Sequence, residues 1–162
     1  MSTVVTERNT KTPRTIGLLA IIAGIILILG GGVTWGMVQS QLKAESITIP
    51  DDAAMFAGKE VKGPLTAYAQ ADVINEHALE ASDGKTYAEL DGDDPTRDTV
   101  MNGSFLRASL FTSVIAFGIA AFAAGLGLLF ILVGLALRAL AGPAVVEKAP
   151  GAATAAEPAA AS

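Results

Sequence analysis

Two stretches of this chain carry no charge at all, and each is long enough to decide the fold class. The first runs from Ile16 to Val38 as IGLLAIIAGIILILGGGVTWGMV. As a helix it would rise about 34 Å, enough to cross a hydrocarbon core of about 30 Å. The second covers Ala108–Leu137, bounded by Arg107 and Arg138. Backbone polar groups find no water inside lipid, so both runs are expected to be helical despite their glycines. The second exceeds a perpendicular span, which predicts tilt or a projecting turn. A signal peptide is the competing reading of the first run, given Arg8, Lys11 and Arg14 before it. Its apolar core is too long for that, and no small-residue cleavage pattern follows between Gln39 and Glu45, so an uncleaved anchor is expected.

Charge separates the remaining segments. Residues 1–15 and 138–162 carry a net +2, whereas residues 39–107 hold six Lys/Arg against thirteen Asp/Glu, and the whole chain stands at −5. The positive-inside rule then puts both termini in the cytoplasm and residues 39–107 outside the cell membrane. Trp35, Phe105 and Phe111 fit an aromatic belt on the outer side. The expected fold is mainly α: a multi-pass integral membrane protein whose two transmembrane helices, 16–38 and 108–137, form a hairpin around a small, mostly helical extracytoplasmic domain, 39–107. The tails 1–15 and 138–162 are expected to be disordered, since the ten alanines and three prolines of Ala141–Ser162 supply no core.

Within the acidic segment, Ser46–Pro50 has strand-like alternation, and Asp51 with Asp52 is placed to cap a short turn. Gly58–Gly63 reads as a connection. A helix is predicted over Pro64–Glu80, with Pro64 in its first turn. Ser82-Asp83-Gly84-Lys85 is a turn, Thr86–Leu90 a short element, and Asp94-Pro95 an N-cap with its first helical residue. That last helix would run through Phe105 into the second span, with Gly103 as a weak point. So few large apolar residues make independent folding marginal, and docking on the membrane, the emerging helix or another protein is expected.

Chemistry is sparse. With no cysteine, thiolate sites and disulfides are excluded. His77, the single histidine, reads as a surface residue on a helix. Asp91, Asp93 and Asp94 invite a calcium loop, but the twelfth position counted from Asp91 is Asn102, where a bidentate Glu is required. Tyr68 reads as packing or as part of a contact surface. Tyr68, His77, Asp91, Asp93 and Asp94 are therefore candidates for touching a partner, and no catalytic residue, metal or cofactor is expected. A pI near 4.7 argues against nucleic acid. The spans have no interior ionisable residue, which argues against a proton or ion path. They offer small-xxx-small pairs instead: Ala20 with Gly24, Gly32 with Gly36, and Ala121 with Gly125, spacings that permit close helix contact.

The segment ITIPDDAAMFAGKEVKGPLTAYAQADVINEHALEASDGKTYAEL, followed by TVMNGSFLRASLF leading into the second span, resembles a family of small actinobacterial two-span membrane proteins. Members often carry the name aromatic ring-opening dioxygenase. Such enzymes hold iron through two His and a carboxylate, or two His and two Tyr, and His77 alone supplies neither set. The expectation is a non-catalytic accessory subunit or assembly factor of a cell-envelope or respiratory complex, with the lipid bilayer and other integral membrane proteins as partners. An anchored ligand-binding or sensing module is the alternative, and an enzyme completed by residues of a partner is a third.

Overall fold

The structure, a computed structural model, describes residues 11–142. Three helices occur among them: α1 Lys11–Ala44, α2 Pro64–Ala81 and α3 Arg97–Leu140. At 1.5 Å per residue α1 is about 51 Å long and α3 about 66 Å. Both are long and apolar enough to cross a membrane. Helix α1 starts at Lys11, ahead of the apolar run, so Lys11–Thr15 are helical and not part of an irregular tail. At the other end α3 continues through Arg138 to Leu140, so these residues are helical and not part of the disordered tail expected from 138. The rest of the N-terminal tail, and the Ala/Pro-rich C-terminal tail beyond Gly142, lie outside the described residues.

Helices α1 and α3 lie side by side in opposite chain directions. A side chain at Gly17 would strike the Gly134 carbonyl oxygen at 2.6 Å, and one at Gly31 the Ala120 carbonyl at 2.6 Å. Gly24 and Gly127 face each other's carbonyls in the same way between them. The positions are spaced by seven on both helices: 17, 24, 31 against 120, 127, 134. A seven-residue repeat keeps one seam facing its partner with a gentle left-handed wind. Because hydrogens stand where side chains would be, the two backbones touch directly, and Cα–H groups point at carbonyl oxygens. At one end of the seam Trp35 packs edge-on against Phe117, ring centroids 4.7 Å apart.

Helix α2 runs antiparallel to the first turns of α3. Its start is pinned by the Thr66 hydroxyl, which accepts the Gly63 and Lys62 N–H groups at 3.0 Å. Ala78 faces Gly103, where an added Cβ would lie 3.1 Å from the Ala78 methyl. At the other end of α2, Tyr68 meets Phe111 edge-on at 5.8 Å. Gly103 thus lets α2 approach α3 closely, a positive role that a helix-weakening residue read alone does not reveal.

The segment between α1 and α2 folds back on itself. Ile49 donates to the Lys59 carbonyl at 3.0 Å and Val61 to the Ile47 carbonyl at 2.9 Å, around a single antiparallel bridge between Thr48 and Glu60. The expected alternation holds, with Ile49 1% and Val61 0% exposed while Thr48 faces solvent. The ladder is too short to be a strand, and Gly58–Gly63 is its return limb as well as a connection. Phe56 and Gly58 turn the chain with φ of 61° and 69°. A left-handed Phe is uncommon, and packing of Phe56 against the core accompanies it here.

One core joins these parts: Leu42 of α1, Ile49 and Val61 of the folded-back segment, Ala67, Ala69 and Ala71 of α2, and Leu110 and Phe117 of α3. Phe111 and Val114 pack against it. The first two turns of the second apolar run, Ala108–Val114, therefore serve this core. Phe117, one turn further on, belongs to the same core and also packs on Trp35. This packing is in keeping with the projecting turn that was expected alongside tilt.

Candidate functional site

The residues singled out in the sequence fall into three separate places. His77 lies on the outer face of α2. Its Nε2 is 2.8 Å from Asp52 Oδ2, in the turn between α1 and α2. Local spacing makes Asp52 a cap, whereas its pairing with His77 joins positions too far apart for any local rule to connect. That hydrogen bond raises the His77 pKa above its ordinary value, with further help from Glu80 and Glu76, and lowers that of Asp52. Both groups are well exposed, so the pair ties the turn to α2 weakly.

Asp91, Asp93 and Asp94 precede α3. Asp94 accepts the Thr96 hydroxyl at 2.6 Å and the Thr96 N–H at 2.8 Å, and these two bonds hold its carboxyl below the ordinary range. Helix α3 begins at Arg97 with Thr96 as its cap residue, two positions later than Asp94-Pro95 suggests. Asp94 closes a side-chain turn ahead of the helix. Arg97 folds back over this segment: it donates to the Leu90 carbonyl at 2.7 Å, and its guanidinium lies 4.1 Å from the centre of the Tyr87 ring. Glu89 accepts from the Thr86 N–H and hydroxyl, which lowers its pKa. Among the described residues no three His, Cys, Asp or Glu side chains gather where they would hold a metal ion.

Between α2, the 82–90 turn and α3 lies a cleft of about 100 Å³, lined by Asn75, Thr86, Tyr87, Ser104 and Arg107 among others. Small-molecule pockets usually measure about 300–1,000 Å³. Arg107 faces the Phe111 ring at 5.4 Å, and its Nε is buried without an acceptor. Gln70 Oε1 on α2 is likewise buried without a donor.

The small residues of the spans divide into two sets. Gly24 lies in the α1–α3 seam, and Ala20 is half-buried. Gly32, Gly36 and Gly125 have open space where a side chain would point, and Ala121 is exposed. Of the three pairs with spacing of four, Gly32 with Gly36 and Ala121 with Gly125 lie on an outer face of the helix pair, whereas Ala20 with Gly24 reaches the seam. The rest of the inner seam, Gly17, Gly31, Ala120, Gly127 and Gly134, follows a spacing of seven. No protein-family model, curated protein or solved structure matches the chain.

Proposed function

We propose that the protein is a two-span integral membrane protein of the cell membrane, with both termini in the cytoplasm and residues 45–96 packed outside on the emerging end of α3. In this role it is an accessory subunit or assembly factor of a larger membrane complex and has no catalytic role of its own. Energetics support the membrane reading. Only 17% of the most apolar window of either long helix is buried, whereas the core helix of a soluble protein is mostly covered. About twenty large apolar side chains of α1 and α3 are at least a third exposed. At about 1 kcal/mol each for partial exposure, leaving them in water rather than in lipid would cost about 20 kcal/mol. Lipid removes that cost.

The observation that carries the subunit role is the division of the small residues. One set is consumed inside the pair. The other, Gly32 and Gly36 on α1 with Ala121 and Gly125 on α3, leaves shallow grooves open to a neighbouring helix. Tyr68, His77 and the 91–94 acidic turn lie on different faces of the outer domain, which suits contacts with a protein surface better than convergence on one small ligand. A sensing module would need a more enclosed pocket than the 100 Å³ cleft beside Arg107 or the open groove of about 310 Å³ between His77, Asn102 and Leu106.

The test is purification of the full chain in mild detergent, with mass spectrometry of what is retained. A reproducible, stoichiometric set of membrane proteins is expected, and Gly32→Leu combined with Gly36→Leu should release it while the protein itself stays folded. Recovery of the wild-type chain alone would refute a stable complex.

A further inference from the structure

The geometry points to an anionic phospholipid site at the end of the helix pair where α1 starts and α3 ends, with Arg14 and Arg138 holding the lipid phosphate. This rests on the membrane-spanning reading above. The register of the seam sets the two side chains close in level. Gly17 faces Gly134 and Leu137, and the Cγ of Arg138 lies 2.9 Å from where a Gly17 Cβ would be. The missing side chain at Gly17 gives the Arg138 stem its path across the seam toward α1. Arg14 stands one turn before Gly17, on the same side of α1. Two guanidinium groups from different helices therefore share one end of the pair.

Nothing among the described residues neutralises them. Helix α1 contains no Asp or Glu, and the one acid of α3 is Asp98, at the far end of that helix from Arg138. Along a continuous helix the separation is about 60 Å, many times the screening length of about 8 Å at physiological salt. The other described carboxylates belong to residues 45–96, which pack at the opposite end. Among the described residues, neither Arg14 nor Arg138 has a hydrogen-bonded or ion-paired partner, and both are exposed. Like charges brought together without a counter-charge favour an anion between them, and a phosphodiester matches the planar donor fork of arginine.

The surroundings identify the source as lipid and not free phosphate. One turn below the arginines on the same faces, Leu18 is 45% exposed on α1 and Leu135 is 52% exposed on α3. A ligand that fits is amphipathic, with its phosphate on the arginines and its acyl chains along these side chains. Juxtamembrane arginines of this kind attract anionic headgroups in the cytoplasmic leaflet.

The experiment uses the full chain, delipidated in detergent and incubated with equal amounts of phosphatidylglycerol and phosphatidylcholine, with retained lipid read by native mass spectrometry. Wild type should retain phosphatidylglycerol in preference, and Arg14→Gln with Arg138→Gln should reduce that preference about tenfold. A Lys59→Gln, Lys62→Gln control on the outer domain should keep it. Trp35 fluorescence checks that each variant is folded. Equal retention of the two lipids by wild type, or an unchanged preference in the arginine variant, would overturn the site. So would full displacement of the lipid by millimolar inorganic phosphate, which would mark a simple anion site. The membrane reading is judged separately, by whether the protein stays in the membrane pellet after an alkaline carbonate wash.

Discussion

Gly31 and Gly32 are neighbours in sequence, and the structure assigns them opposite tolerances. An alanine methyl at Gly31 would sit 2.6 Å from the Ala120 carbonyl oxygen and 3.3 Å from the Ala124 nitrogen, both backbone atoms that no rotamer change can move. Carbon–oxygen contacts between helices settle at about 3.3–3.6 Å, so the pair must open by about 0.7 Å at this point. A gap of that size forfeits about a quarter to a half of each dispersion contact it affects, and overpacking of this kind costs about 1–3 kcal/mol. Alanine also gains about 1 kcal/mol of helix propensity over glycine, but it does so equally at position 32, where nothing lies within reach of the methyl. The propensity term cancels in the comparison. Gly31→Ala should therefore be less stable than Gly32→Ala by about 1–3 kcal/mol. The single tryptophan makes the assay direct, because Trp35 lies one turn from Gly31 and packs across the seam on Phe117. Unfolding of each variant by SDS in mixed micelles, followed by Trp35 emission, gives the ordering. Equal stabilities, or a less stable Gly32→Ala, would refute the seam.

Where α2 packs on α3, Gly103→Leu should lift α2 from α3, because even a methyl there meets Ala78 at 3.1 Å; limited proteolysis between residues 45 and 96 should accelerate at least several-fold. Proton NMR of the one histidine should place the His77 pKa above 6.5, and Asp52→Asn should bring it back down. The sign follows: the raised His77 pKa contributes to docking of the turn fully below 6.5 and is lost as pH rises through the folded value. The lowered Asp52 pKa contributes above 3.8 and is lost as pH falls through its own folded value, so the tie operates between those limits. Because the chain has no native cysteine, single cysteines at Ala57 and at Thr15 report topology cleanly. A membrane-impermeant maleimide added to intact cells should label the first and not the second. Arg97→Gln should cost about 1–2 kcal/mol through loss of the Tyr87 stacking and the Leu90 carbonyl bond, read as increased hydrogen exchange over residues 86–97.

Composition and local pattern carried much of the architecture. The two uncharged runs announced the two long apolar helices, because lipid-length hydrophobicity is a property of the chain alone. Pro64 and the run of helix formers after it placed α2 to within a residue at its end, since capping and propensity act over a few positions. Ile47-Thr48-Ile49 showed which side chains turn inward. Other features depended on which surfaces meet. Spacing of four between small residues marks any face on which a helix is narrow, and only the antiparallel register of α1 on α3 selected the seven-residue set 17, 24, 31 over the pair 32, 36. The fate of Leu110, Phe111 and Val114 was equally hidden: an apolar residue reads the same whether lipid or a small domain covers it. Asp52 met His77 because the chain folds back between α1 and α2. A hydrogen bond between positions so distant in sequence is set by that path, and no local rule contains it.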